Sequence, residues 1–278
     1  MSSRFEFLGN ISLGQYLPRA SWFHQRDPRA RLLSLGFLFL GLIFVPNLPM
    51  LLVGMGLTLL FYAVARLPLK PAWKSIKRAV IFILILATLQ VLFFRAADPS
   101  PAFGMFLGVK ITEAAVRSAL MLIGKFLALI LLINGLVMSL STSQITTALF
   151  YLLKPLEKLH FPVNDLTMVV QITLRYLPLI AQIAEKTAKA QASRGGDWDQ
   201  HGFNPIRQAK RVLPMIVPLI VTSLKRAETM AMAMESRGFN AAEERSSYDE
   251  LSFTGQDGLL TAASFLVSAF LLFSGLLF

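Results

Sequence analysis

The chain has 278 residues, 55% of them hydrophobic and 15% charged, with a mean hydropathy of +0.59 and no cysteine. That balance excludes an ordinary soluble domain and leaves apolar length for several membrane spans, while the lack of thiols excludes disulfides and thiolate metal sites. The net charge of +11 is uneven: residues 1–140 carry 14 Lys/Arg against 4 Asp/Glu, and residues 141–278 carry 13 against 12. The cations sit between apolar runs rather than in one aromatic-laced patch, so they point to anionic lipid headgroups and not to nucleic acid. His24, His160 and His201 lie far apart, without ligand spacing, so neither a metal nor another cofactor is expected.

In chain order, the first apolar run (32–45) follows mostly polar residues and lacks a small-residue cleavage site, so it reads as a retained span. Asp27-Pro28 fits an N-cap followed by proline at the first helical position. Runs 50–65, 79–94 and 114–140 follow, and 258–278 closes the chain. The first three fall short of the roughly 20 residues a spanning helix needs, so Arg29, Arg31, Arg66 and Arg78 are expected to snorkel to the interface and complete them. Arginines crowd before the first run and cations follow the second, whereas Pro46-Asn47-Leu48-Pro49 between them is uncharged, which places the amino terminus in the cytoplasm. Lys125 lies near the middle of the fourth run with no acidic residue inside any run to pair with. Contact with carbonyls or water in the bundle interior is the favoured reading.

The expected fold is therefore all-α: a polytopic membrane protein of about five transmembrane helices with a cytoplasmic coupling region of about three amphipathic helices. Its parts are a membrane region (1–140), the coupling region (141–257) and a last transmembrane helix (258–278). Ser141-Thr142-Ser143-Gln144 has the form of a capping box, opening a short helix that stops near Pro155. A longer amphipathic helix carries Leu166, Val169, Val170, Leu177 and Ile180 on one stripe, which is expected to pack. Another, beginning at Pro205, is apolar almost all round up to Leu224, then charged and Met-rich, and its first half is expected to be buried. Trp198, in the loop between these two helices, reads as a packing anchor or interfacial ring rather than a binding platform.

These two helices share a motif. Ala190-Gln191-Ala192-Ser193-Arg194-Gly195 and Ala233-Met234-Glu235-Ser236-Arg237-Gly238 both spell Ala-x-x-Ser-Arg-Gly, and each follows an Arg-x-Leu-Pro element, Arg175–Pro178 or Arg211–Pro214. The duplicated unit reads as a helix with proline near its start and an Arg-Gly stop. A single Arg-Gly is the generic helix stop, with glycine free to turn left-handed and arginine beside the negative end of the dipole. Two copies with matching upstream residues point to two docking points, since an arginine on a helix tip offers five fixed donors to a partner's groove. From proline to arginine the copies measure 16 and 23 residues, a difference of two turns, so they cannot be symmetric.

Leu13-Gly14-Gln15-Tyr16, Asp27-Pro28-Arg29, Ser141-Thr142-Ser143, Arg175-Leu177-Pro178 and both Ser-Arg-Gly endings together resemble the transmembrane T component of energy-coupling factor transporters. Gln144 stands where relatives commonly have proline. The resemblance implies a non-catalytic subunit of an ATP-driven importer of vitamins or metal ions in the bacterial inner membrane. It implies two ABC-type ATPase subunits held at Ser193, Arg194, Gly195, Ser236, Arg237 and Gly238, and a substrate-binding membrane protein (S component) moved by them. A conventional ABC permease and a secondary transporter are the alternatives. An enzyme is disfavoured: Gly124-Lys125-Phe126 lacks the other residues of a phosphate loop, and no hydrolase motif is present.

Overall fold

A computed structural model describes residues 17, 21–93, 102–106, 109–159, 162–194, 205–239 and 251–277. The architecture is all-α and polytopic apart from one short hairpin. The helices are α1 (Pro28–Ile43), α2 (Leu48–Val64), α3 (Leu69–Phe93), α4 (Glu113–Ser139), α5 (Thr142–Leu153), α6 (Val163–Ser193), α7 (Pro205–Ser236) and α8 (Gly255–Leu277). Between α3 and α4, strands β1 (Ala102–Phe106) and β2 (Val109–Thr112) pair antiparallel, with Met105 opposite Lys110. The sequence reading has only a link there. By length and composition α3, α4, α6 and α8 suffice to cross a membrane, and α2 is a shorter apolar helix.

Local chemistry sets the boundaries. Asp27 caps α1, its carboxylate accepting the Arg29 N–H at 2.8 Å with Pro28 behind it. Ser141 and Gln144 close the expected capping box on α5. α3 departs from expectation: it is 25 residues long because Lys70, Lys74, Lys77 and Arg78, left out of an apolar-run count, are good helix formers and fill its first turns. With 16 and 17 residues, α1 and α2 are as short as expected.

The chain divides into two compact units, one of Pro162–Glu250 and one combining Gly14–Phe161 with Leu251–Phe278. In the second, α1 packs against α8, and α4 against α3 and α2. Lipid tails are as apolar as leucine, so helices there associate through close packing and hydrogen bonds. Gly41 of α1 is pressed on Ser268 of α8, where an added Cβ would meet the serine Cα at 3.0 Å. Tyr62 donates from its hydroxyl to the Leu131 carbonyl at 2.8 Å, and Ser75 bonds Asn134 at 3.0 Å. Phe23, Leu35, Leu42, Phe61 and Leu132 fill the core, with Phe23 edge-on to Phe61.

One end of this bundle is polar and buried. Arg31 is only 1% exposed and donates to the Ser139 carbonyl at 2.9 Å, so it does not snorkel: an α4 carbonyl with no intrahelical partner holds it inside. Asp257, at the start of α8 and 2% exposed, accepts from the Asp27 and Thr254 N–H groups. Arg29 donates to the Leu251 carbonyl at 2.7 Å and lies over the Tyr151 ring at 4.2 Å. Lys125 donates to the Ile43 carbonyl at 3.1 Å, a C-terminal carbonyl of α1 that the helix leaves unpaired; the partner is of the expected class, but the contact is exposed rather than in the bundle interior.

The other unit consists of α6 and α7 packed on each other. Two expectations fail here. The apolar stripe of α6 stays largely exposed (Val169 61%), with Val163 and Ala188 its buried residues. The first half of α7 was expected to be buried, yet Leu213 is 60% and Leu224 59% exposed. A helix apolar around most of its circumference cannot be covered by a single neighbour. Nor do the prolines of the repeated element stand near the start of their helices: Pro178 lies in the interior of α6, and Pro214, with Pro218, in that of α7. The helices continue through these residues and gain turns before them.

Candidate functional site: two arginine-tipped helix ends

The repeated motif is a repeated geometry. At the end of α6 the Ser193 hydroxyl donates to the Ala190 carbonyl at 2.9 Å, and the Arg194 N–H to Gln191 at 3.2 Å. At the end of α7 Ser236 donates to Ala233 at 3.0 Å, and the Arg237 N–H to Met234 at 3.1 Å. The Ala-x-x-Ser spacing thus brings a hydroxyl back over the last turn, where carbonyls lack helical partners. In each copy the arginine is the first residue beyond the helix.

The α7 end is finished by a left-handed glycine. Gly238 has φ of 74°, its N–H reaches Glu235 at 2.9 Å, and the Phe239 N–H reaches Met234 at 2.9 Å. This is the paired-bond termination in which glycine avoids the Cβ clash. Gly195, its counterpart, lies outside the described residues, as do Trp198 and the Leu13–Tyr16 signature. Arg194 and Arg237 are exposed, and among the described residues neither guanidinium has a hydrogen bond or ion pair. Each tip therefore presents a full set of planar donors to solvent.

The tie between the helices comes from a residue that sequence reading passed over. Gln191 donates through its side-chain amide to the Pro214 carbonyl at 3.4 Å. That carbonyl is free because the residue four positions on is Pro218, which has no N–H to give. Proline spacing in α7 thereby creates the acceptor that Gln191, inside the α6 motif, occupies. Phe239 was also missed. Both residues had a signal in position alone: Gln191 within one repeat, Phe239 directly after the other.

Comparison with known proteins gives the family. Residues 19–248 match the CbiQ family, described as "Cobalt transport protein". The chain belongs to this family. The "Energy-coupling factor transporter transmembrane protein EcfT" of Brevibacillus brevis is 34% identical to it, over 92% of this chain and 95% of that protein. Those of Bacillus subtilis and Acidaminococcus fermentans are 31% and 33% identical, over 96% and 95% of this chain and 98% and 97% of theirs. The chain is thus an energy-coupling factor T component, a multi-pass membrane subunit of a transporter. In this T component the two tips are the Ser-Arg-Gly endings that the resemblance singled out.

Proposed function

We propose that this T component docks two ABC-type ATPase subunits through Arg194 and Arg237 and passes their ATP-driven motion to a substrate-binding membrane protein. Ser193, Gly195, Ser236 and Gly238 shape the tips. Hydrolysis takes place on the ATPases, and the cargo is a vitamin or a metal ion. The family description, "Cobalt transport protein", favours a metal, while the relatives' names specify no cargo. The protein sits in a bacterial inner membrane with its amino terminus in the cytoplasm, a placement supported by the arginines ahead of α1.

One observation carries the reading: two like-built helix ends each hold an exposed arginine with no partner in the described chain. Desolvated anchors of this kind cost about 2–4 kcal/mol when truncated, a loss of about 30- to 1,000-fold in affinity. In detergent, Arg194→Ala and Arg237→Ala should each lower ATPase co-purification and together abolish it, with the membrane protein still folded. Undiminished co-purification with the double variant overturns the reading.

A further inference from the structure

The polar end of the bundle lies where the chain departs for the α6–α7 unit and where it comes back. The outgoing limb carries Tyr151 on α5, and the chain enters the other unit at Pro162; the returning limb begins at Leu251 and leads into Asp257. Arg29 touches both. Its guanidinium lies over the Tyr151 ring at 4.2 Å, its Nη2 donates to the Leu251 carbonyl at 2.7 Å, and its Nε stands 3.4 Å from the Asp27 carboxylate. Asp257 accepts the Asp27 N–H at 3.2 Å, and Arg31 holds the Ser139 carbonyl just ahead of α5. Every one of these contacts radiates from residues 27–31, the first turn of α1.

We propose that Arg29 is a positioning residue for coupling: it clasps the outgoing and returning limbs of the α6–α7 unit to the start of α1, so that both limbs move as one body when that unit is driven. The inference rests on the reading that ATPases drive the unit. A planar, forked cation suits the role, since it can stack on a ring and donate to a carbonyl at once, which lysine cannot. Without the clasp, a push on the α6–α7 unit would be lost as relative movement of the two limbs rather than reaching α1 and α8, because a load is passed on only by elements that move rigidly.

The test uses spin labels on the assembled complex. The chain has no cysteine, so Leu149→Cys on α5 and Ser252→Cys on the returning limb, both at exposed positions, label it specifically. Pulsed-resonance distances are recorded with the ATPases bound, without nucleotide and with ATP. The clasped chain should give one narrow distribution in both states. With Arg29→Ala the distribution should broaden about twofold on ATP while ATPase co-purification is kept; Arg29→Lys should broaden less, and Tyr151→Phe, which keeps the ring, not at all. Arg29→Ala distributions that superimpose on the parent in both states overturn the proposal. So does equal broadening without nucleotide, which marks mere loosening, and so does loss of the ATPases, which would make Arg29 a docking residue. Failure of the docking reading shows instead as unchanged co-purification in the arginine-tip variants.

Discussion

The two units of this protein are held together by different means. The bundle has interlocked small residues, interhelical hydrogen bonds and a polar end in which Arg31 and Asp257 are almost fully buried. The α6–α7 unit has two long helices that, among the described residues, bury little and share one side-chain tie, Gln191 to Pro214. Two helices alone cannot bury enough apolar area to fix their own geometry. What the second unit does fix is its tips, through paired bonds in the last turn. The contrast teaches a division of labour: stability is invested in the bundle, and definition at the helix ends of the α6–α7 unit.

The largest test of that contrast is Arg31→Ala. It removes a buried, charge-assisted bond to Ser139 and empties a fully enclosed site, at a cost of about 2–4 kcal/mol. Arg31→Lys should recover only part of this, because the fork is lost. Arg194→Ala in the same thermal-unfolding assay should change stability by less than about 0.5 kcal/mol, since its guanidinium is exposed and has no hydrogen bond or ion pair among the described residues. Equal losses for the two arginines would erase the distinction between the two units.

Helix packing gives a smaller version. Gly41→Ala drives a methyl group against the Cα of Ser268, which cannot rotate away, and should cost about 1–3 kcal/mol as α1 and α8 separate. Met232→Ser on α7, where the side chain is 62% exposed, should be neutral within about 0.5 kcal/mol. Denaturant or thermal midpoints of the two variants side by side check this. A neutral Gly41→Ala would mean that the α1–α8 contact is looser than its geometry.

Sequence reading succeeds here where the cause is local. Asp27-Pro28 and Ser141–Gln144 are caps within one turn, and both form. The class of partner for Lys125 follows from the absence of intramembrane acids, although the identity of Ile43 does not. Contacts set by tertiary packing leave no such trace. Asp27 and Asp257 are 230 positions apart, and nothing around either residue announces the other. The Arg31 side chain turns inward only because the end of α4 arrives beside it. In the hairpin after α3 the second strand, Val109–Thr112, alternates apolar and polar but the first, Ala102–Phe106, does not, and Pro178 reads as a boundary although the helix absorbs it. At the candidate site the repeated motif was plain, whereas the reason for its Ala-x-x-Ser spacing emerged only with the two serine hydroxyls in place.

The smallest expected effect concerns pH and again separates the units. His24 precedes α1, with its Nδ1 2.7 Å from the Ser21 hydroxyl. Burial, and then the charge of Arg31, lower its pKa below the ordinary 6.5. The unfolded chain therefore binds this proton more readily than the folded one, so the contribution of His24 to stability is complete above pH of about 6.5 and is lost as pH falls from there through the lowered folded value. His24→Gln should flatten the acid limb of the bundle's unfolding midpoint between about pH 5 and 7 without changing the midpoint's position relative to other variants at pH 8. Since this titration belongs to the bundle, ATPase co-purification over the same range should be lost in the tip-arginine variants and should not change with His24→Gln. An acid limb equally steep with and without the imidazole would remove His24 from the polar end's account.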